Sequence, residues 1–389
     1  MPFKQRITVI FLFLIFLSIR IFRWLRKSGN RLRPYRWRIA TAVVLGVFLS
    51  AGVYQGWSWH RFATTPLIRS GSTTVIVTPH LTIKGLAAKL HERGLLAHPR
   101  FLVLLARQKG EADKLRVGEY AIDATTTPEQ LLTHIVTGKV VMRKLTLVEG
   151  ITMRQIRQQL LSDDALQPVS ANQTDQEIMA SLGHPGESAE GWFFPDTYLY
   201  TWGNKDTVVL QQAYQRMANL LAQEWPQRDR HLPYQSPKEA LIVASLVESE
   251  AVVPAERPII AGVIIRRLQK NMNLQVDPTV IYGVGKPYGS PITLSDLRND
   301  NPYNTYLHKG LPPTPINMPS AASIYAALHP TLGDALYYVA QGDGSHRFSA
   351  TYAEHLQAVH HYHQFKKYQE DKRTWYGIGL LIVRTAGLY

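Results

Sequence analysis

The feature that most constrains the fold is a stretch without any charged residue, Ile39 to Trp57, which is 19 residues long. A helix needs about 20 mostly apolar residues to cross the hydrocarbon core of a bilayer. The stretch therefore predicts a transmembrane helix, which separates a short N-terminal part of the chain from a long C-terminal part.

The basic residues around this stretch are distributed unevenly. Eight precede it closely, namely Arg20, Arg23, Arg26, Lys27, Arg31, Arg33, Arg36 and Arg38. Only Arg61 and Arg69 follow it closely. Because positive loops stay on the cytoplasmic side of a membrane, we expect everything after Trp57 to lie in the periplasm, with the chain held in the inner membrane by a single pass.

The net charge of +14 comes mainly from the basic residues that precede the predicted span. Ten of the 43 Lys and Arg residues, and none of the 29 Asp and Glu residues, fall within residues 1–38. The remainder of the chain is close to neutral, so we predict no binding of nucleic acid by its folded part.

A second apolar run, Ile7 to Phe22, is interrupted by Arg20, and its charge-free part is short for a span. It is compatible with a first helix, an interfacial segment or extra sequence from an upstream start codon, and these alternatives stay open. A cleaved signal peptide is disfavoured, because no small-residue cleavage site follows before the basic stretch.

The sequence has no cysteine, which excludes disulfides, thiolate metal sites and a cysteine nucleophile. Four histidines cluster near the C-terminus, at His355, His360, His361 and His363. They do not form an HExxH pattern, and a surface helix explains them better, so we predict no metal and no cofactor.

Period-2 and helical patterns after the predicted span indicate a small α+β module. We expect strands at Thr73–Val77, Val117–Ile122 and Val140–Val148, and helices from near Thr82, over about Arg100–Lys109 and over Pro128–Val136. The first helix places Ile83, Leu86, Ala87 and Leu90 on one face. Thr126 and Glu129 are spaced as a capping box for the third helix.

The resulting organisation is α+β after an N-terminal transmembrane helix. We predict a basic N-terminus and anchor at residues 1–58, a linker at 59–72, the small module at 73–149, a larger domain rich in Pro, Gly and Tyr at 150–365, and a tail at 366–389.

The clearest candidate for chemistry is Glu248. Ser236 and Glu239 form a capping box and Pro237 suits the first helical position, so a helix begins there. Nearly every side of this helix is apolar, which indicates that it is buried. Glu248 lies in its last turns, and apolar surroundings favour a protonated carboxyl, as a general acid requires.

A partner carboxylate is not evident from local spacing. Glu250 is two residues from Glu248 and must point to another side of the helix. Glu256, Asp277 and Asp296 are candidates for a second carboxylate, and the spacing does not single one out.

Several short motifs occur in a fixed order along the larger domain. They are Glu190-Gly191-Trp192-Phe193-Phe194-Pro195-Asp196-Thr197-Tyr198, Ala244-Ser245-Leu246-Val247-Glu248-Ser249-Glu250, Glu256-Arg257, Arg267-Leu268, Leu274-Gln275-Val276-Asp277-Pro278-Thr279-Val280-Ile281-Tyr282-Gly283, Tyr303-Asn304-Thr305-Tyr306, Gly310-Leu311-Pro312-Pro313, Pro315-Ile316 and Gly342-Asp343-Gly344-Ser345-His346-Arg347-Phe348. With these motifs, roughly residues 39–365 resemble the endolytic murein transglycosylase (YceG-like, MltG) family.

The resemblance implies an activity and a catalytic residue. Family members are lytic transglycosylases, carbon–oxygen lyases that cleave the MurNAc–GlcNAc β-1,4 bond inside nascent peptidoglycan strands, leave 1,6-anhydro-MurNAc ends and terminate glycan elongation. The family's catalytic Glu matches Glu248. The resemblance also implies that the small module is LysM-like and binds peptidoglycan. Our candidates for holding substrate are Gln275, Asp277, Tyr303, Asn304 and Tyr306, whose side chains offer hydrogen bonds and stacking rings.

Two other functions stay open. A non-catalytic peptidoglycan-binding scaffold would use the module to hold glycan and leave Glu248 a structural role. A hydrolytic muramidase would yield reducing ends instead of anhydro ends. The expected partners are peptidoglycan glycan strands and the inner membrane, and the resemblance makes peptidoglycan synthases candidate partners.

Overall fold

The computed structural model describes Arg20, Arg23 and residues 36–366. Apart from Arg20, the apolar run at residues 7–22 lies outside the part described, and so does the tail at 366–389 apart from residue 366. The first complete element is helix α1, Arg36–Thr64. Within it, Thr41–Thr64 is long and apolar enough to cross a membrane by length and composition, with a mean hydropathy of 1.2.

Helix α1 extends beyond the predicted span and into the predicted linker. The rings of Trp59 and Phe62, near its end, lie 5.7 and 5.5 Å from the ring of Phe101, each edge to face. Because these contacts bury part of both side chains against the core that follows, residues 59–64 continue the helix instead of forming a free linker.

The described chain divides into two compact units between Val141 and Met142. After α1, the N-terminal unit contains β1 (Ser72–Val77), α2 (Ile83–Glu92), α3 (Pro99–Gln108), β2 (Gly118–Asp123) and α4 (Pro128–Thr137). Strands β1 and β2 pair antiparallel, with Val75 opposite Tyr120. The predicted strands and helices of this unit are therefore confirmed to within about two residues.

The core of the N-terminal unit forms between this sheet and the helices. Four residues predicted to share one face of α2 are all buried, Ile83, Leu86, Ala87 and Leu90. The side chain of Tyr120 is fully buried, and its hydroxyl donates to the carbonyl of Arg116 at 2.8 Å. Apolar packing thus accounts for this core, and the buried Tyr120 hydroxyl has a hydrogen-bond partner.

The capping box of α4 is shifted by one residue from the prediction. Thr127, not Thr126, caps the helix, and Gln130 returns the second hydrogen bond. Pro128 occupies the first helical position, which makes the residue before it the cap. The hydroxyl of Thr126 instead donates to the carboxylate of Asp123 at 2.8 Å and closes the turn after β2.

The C-terminal unit is larger and mainly helical. Its elements are β3 (Met142–Thr146), α5 (Met153–Ser162), α6 (Asp175–Ser181), β4 (Thr197–Thr201), α7 (Asp206–Glu224), α8 (Pro237–Glu250), α9 (Arg257–Gln269), α10 (Asp277–Gly283), α11 (Leu294–Leu297), α12 (Ala321–Leu328), β5 (Tyr337–Ala340), β6 (His346–Ser349) and α13 (352–366). β3 pairs with β4 and β5 with β6, both antiparallel. The protein is therefore α+β, as predicted.

The predicted strand Val140–Val148 is expected to be the last element of the small module. The strand observed there, β3, belongs to the C-terminal unit instead. Its residue Leu145 lies opposite Tyr198 of β4, and both are buried in the core of the C-terminal unit. The boundary therefore falls at 141/142 and not at 149/150, because the apolar face of this strand completes the second core.

Helix α8 lies at the centre of the C-terminal unit and packs against α9 and α12. Ser236 and Glu239 form the predicted capping box, with Pro237 in the first turn. All residues from Ala240 to Val247 are buried. This confirms the predicted buried helix, and its apolar sides leave Glu248 near the C-terminal end.

Candidate active site

Glu248 is held by polar groups from two other segments. Its Oε2 accepts hydrogen bonds from the backbone N–H of Ser320 at 2.9 Å and from the Ser320 hydroxyl at 2.5 Å. Arg257 Nη2 lies 3.7 Å from Oε1, and only 7% of the Glu248 side chain is exposed. The prediction of apolar surroundings is therefore wrong for the carboxyl group itself, although the helix that carries it is buried in apolar residues.

Three helix ends meet at this carboxyl group. Ser320 is the N-cap of α12 and Arg257 is the first residue of α9, while Glu248 is in the last turn of α8. Arg257 Nε also donates to the Ser323 hydroxyl in the first turn of α12, at 3.2 Å. Helix N-termini carry partial positive charge and free N–H groups, so this arrangement suits a carboxylate.

A cavity of about 730 Å³ lies beside Glu248. Ser249 and Asn317 are part of its wall, and so is Gly150, whose backbone has a φ of +74°. A Cβ added to Gly150 would lie 3.9 Å from Cγ of Glu248. Glu248 does not itself line the cavity, but Ser249, the next residue in the chain, does, and Gly150 in the wall is close to the Glu248 side chain.

The cavity wall also contains a buried carboxyl group, Glu190. Its oxygens accept hydrogen bonds at 3.0 Å from the backbone N–H of Met153 and from the Tyr282 hydroxyl. Burial raises the pKa of Glu190 to about 7, against the opposing effect of these two donors. The motif that contains Glu190 does not predict this environment, because the partners of Glu190 are distant from it in sequence.

Glu250 faces a different environment from Glu248. Burial, together with the nearby charge of Asp277, raises the pKa of Glu250 to about 7, while the hydroxyl of Tyr338 opposes the shift. The neighbours of the two carboxyl groups therefore differ, with Ser320 and Arg257 at Glu248 and Asp277 and Tyr338 at Glu250.

The predicted candidates for a second carboxylate are each engaged elsewhere. Glu256 accepts from the backbone N–H of His346 at 2.8 Å, and its other oxygen lies 2.7 Å from His346 Nδ1. Asp296 pairs with Lys286 at 2.5 Å, and this contact, with hydrogen bonds from Thr293, lowers the pKa of Asp296 to about 2. Asp277 accepts from the Tyr306 hydroxyl.

The predicted substrate-binding residues divide between the cavity and its surroundings. Tyr303 lines the cavity. Asn304 is fully buried, and its amide nitrogen donates to the carbonyls of Leu297 at 3.0 Å and Asn299 at 2.8 Å. Gln275, Asp277 and Tyr306 do not line the cavity. The Tyr306 hydroxyl donates a hydrogen bond to the Asp277 carboxylate.

Comparison with known proteins agrees with this arrangement of motifs. The model of the YceG-like family matches residues 75–361. Two relatives are named endolytic murein transglycosylase. One, from Bacillus subtilis, is 35% identical over 189 residues, covering 49% of this chain and 51% of the relative. The other, from Streptococcus pneumoniae, is 28% identical over 346 residues, covering 78% of this chain and 60% of the relative.

A solved structure is also similar. The crystal structure of a yceG-like protein from Listeria monocytogenes has a TM-score of 0.50 and 27% identity, and the match covers 74% of this chain and 99% of that one. The chain spans between about half and three fifths of the length of the two relatives above. Because the family model covers most of the chain, including every motif around Glu248, the chain belongs to the YceG-like family.

Proposed function

We propose that this protein is an endolytic peptidoglycan lytic transglycosylase with Glu248 as its acid and base. The observation that carries the proposal is the position of Glu248, whose carboxyl group is buried where three helix ends meet beside a cavity of about 730 Å³. The names of the two relatives support the same activity.

The proposed reaction needs one protein carboxyl group that works twice. Protonated Glu248 donates its proton to the oxygen of the β-1,4 bond between MurNAc and GlcNAc, and the bond from MurNAc C1 to that oxygen breaks. The Glu248 carboxylate then takes the proton of the MurNAc C6 hydroxyl as O6 bonds to C1. The products are a 1,6-anhydro-MurNAc end and a GlcNAc 4-hydroxyl, and water is not consumed.

The contacts of Glu248 suit the second half of this cycle. After the first proton transfer the group is a carboxylate, and the Ser320 amide and hydroxyl donate to one of its oxygens. Hydrogen bonds to an ionised acceptor are roughly twice as strong as neutral ones. The other oxygen, nearer Arg257, accepts no hydrogen bond from the described residues and is the one we assign to proton transfer.

A hydrolytic muramidase is the second candidate, and Glu190 is the observation that favours it. Most glycosidases use two carboxyl groups, one as acid and one as base or nucleophile. Glu190 lies in the cavity wall, and burial raises its pKa to about 7, so near neutral pH both of its protonation states are populated. In that mechanism water would attack C1 and the new ends would be reducing.

The location and the role of the N-terminal unit belong to the same proposal. Helix α1 would be the single-pass anchor in the inner membrane, with the folded parts in the periplasm, and its apolar length supports this. The LysM-like nature of the small module stays a prediction, as does contact with peptidoglycan synthases.

The experiment that tests the proposal is an analysis of product ends. The full chain in detergent, its Glu248→Gln variant and a Glu224→Gln control are incubated with uncrosslinked glycan strands, and new ends are identified by mass spectrometry. We expect anhydro ends with the wild type and the control, and none with Glu248→Gln. Reducing ends would favour the muramidase. A folded wild type that binds glycan without cleaving it would favour the non-catalytic scaffold function.

A further inference from the structure

The loop between α10 and α11 forms one side of the cavity. Its residues Gly285, Lys286, Pro287 and Tyr288 all line the cavity. The carbonyl of Gly285 accepts from Arg154 Nη1 at 3.2 Å, and Lys286 pairs with Asp296 at 2.5 Å. The loop is therefore attached to α5 on one side and to α11 on the other.

Tyr288 in this loop combines a fixed hydroxyl with an exposed ring. Its hydroxyl donates to the backbone carbonyl of Ser249 at 2.6 Å, directly after Glu248 in the chain. The residue is nevertheless 65% exposed. Burial raises the pKa of Tyr288, and the charges of Glu250 and Glu248 add to this effect.

The other two tyrosines of the cavity wall are arranged differently. Tyr282 and Tyr303 pack edge to face with ring centroids 4.9 Å apart. Their hydroxyls are bound to Glu190 at 3.0 Å and to Thr314 at 2.9 Å, and both residues are partly buried. Among the described tyrosines that line the cavity, only Tyr288 presents a largely exposed ring.

We propose that Tyr288 binds a sugar ring of the glycan strand next to Glu248, with its aromatic face against the C–H face of that sugar. This inference rests on the proposed function and adds a substrate-binding residue to it. Aromatic rings supply a large contact area and little flexibility. Because its hydroxyl is already held by Ser249, the ring loses little conformational freedom when a sugar binds, so more of the contact energy appears as affinity.

Binding of uncrosslinked glycan strands is measured by calorimetry. The protein is the full chain in detergent, and it carries Glu248→Gln so that the ligand is not cleaved. In this background Tyr288→Ala should weaken binding about tenfold, equal to ~1.4 kcal/mol. Tyr288→Phe keeps the ring and should weaken binding by no more than about threefold. The control is Tyr325→Ala, which removes a ring that is 55% exposed on α12 and does not line the cavity, and it should leave affinity unchanged.

With Glu248 intact, Tyr288→Ala should raise KM more than it lowers kcat, because the ring contributes to binding and not to proton transfer. Thermal melting of each variant shows whether it folds. Tyr288→Leu, which removes the aromatic ring but keeps apolar bulk, should show a similar loss of affinity and replaces the alanine variant if that one does not fold. Equal glycan affinity for Tyr288→Ala and the parent would overturn the assignment while leaving the proposed function intact. No glycan binding by any variant, with no cleavage by the wild type, would overturn both.

Discussion

The two units of this protein differ in what they bury. The core of the N-terminal unit is a single apolar cluster, and its buried polar residues are Glu119 and Thr126. The C-terminal unit buries many polar and charged side chains, among them Glu190, Asp206, Arg267 and Asn304. Burying a charge is costly unless it is paired or hydrogen-bonded.

The buried charges of the C-terminal unit are matched by hydrogen bonds. Asp206 accepts from the hydroxyl of Ser170 at 2.6 Å and from its backbone N–H. Arg267 donates to the carbonyls of Leu336 at 2.7 Å and Leu274 at 2.8 Å. The N-terminal unit, which we call the packed unit, is therefore stabilised mainly by packing. The C-terminal unit, which we call the polar unit, combines packing with polar networks, and the candidate chemistry lies in it.

The largest effect should come from the packed unit. Leu90 is fully buried, so Leu90→Ala should lower the free energy of unfolding of the N-terminal unit by about 2–5 kcal/mol. Hydrogen exchange of β1 and β2, followed by mass spectrometry, measures this, with the exposed Leu104→Ala as control. The cleavage rate on short glycans should stay within about twofold. A large loss of that rate would show that the two units are not independent.

The next effect tests the polar unit. Ser320→Ala removes the hydroxyl that donates to Glu248 and should lower the cleavage rate about 10- to 100-fold, because hydrogen bonds to charged groups contribute about 1.5–3 kcal/mol. Ser320 is also the N-cap of α12, so stability should fall by about 1 kcal/mol.

Ser236→Ala is a matched control for this variant, because it removes the N-cap of α8 without touching Glu248. It should reduce stability to a similar extent and leave the rate nearly unchanged. Ser320→Thr, which keeps a hydroxyl, should recover much of the activity. Equal rates for Ser320→Ala and Ser236→Ala would contradict the role of Ser320.

A smaller effect should appear as a pH dependence of stability in the polar unit. The pKa of Glu250 is raised to about 7 by burial, above its ordinary value of 4.5, so the folded state favours the protonated form. This contribution is complete below about pH 4.5 and is lost as the pH rises through about 7. Glu250→Gln resembles the protonated form, and should stabilise the protein by about 1–3 kcal/mol at pH 8 and little at pH 5.

Thermal melting of the wild type, Glu250→Gln and Glu224→Gln at both pH values measures this difference. The benefit of Glu250→Gln should grow with pH, and Glu224→Gln, at the end of α7, is the control for replacing a Glu by a Gln. A benefit of the same size at pH 5 and pH 8 would show that burial does not act on Glu250 as described.

The smallest effect concerns the helix cap of the packed unit. Thr127→Ala should destabilise the N-terminal unit by about 1 kcal/mol, because it removes the capping box of α4. Thr133→Ala, on the same helix, should be neutral or slightly stabilising, since alanine favours helix and the Thr133 hydroxyl donates to the carbonyl of Glu129 within that helix. Chemical unfolding of both variants measures the difference. If both variants lost the same free energy of unfolding, the assignment of the cap to Thr127 instead of Thr126 would be wrong.

The same contrast explains how much could be predicted from the sequence. Local patterns describe the N-terminal unit well, because strands of period two and an apolar helix face are properties of neighbouring residues. The prediction of Thr126 as the cap of α4 is wrong because Thr126 and Thr127 both offer a hydroxyl. Only their contacts, with Asp123 for Thr126 and with Gln130 for Thr127, distinguish them.

The candidate site was predictable in part. The start of α8 and the position of Glu248 near its end follow from Ser236, Pro237 and the apolar run. The groups that hold Glu248 do not, because Ser320 is 72 residues away in sequence and its contact exists only after α8 and α12 pack. The burial of Glu190 likewise depends on Met153 and Tyr282, which come from distant segments.

The packing of Trp59 and Phe62 onto Phe101 has a mechanical consequence. When the last turns of a helix pack on a domain, the helix and the domain move together and little relative motion is left between them. With α1 as the anchor we propose, diffusion in the bilayer would carry the N-terminal unit sideways at a nearly constant height. The N-terminal unit would then stay within a thin layer next to the membrane, and its movement would be two-dimensional.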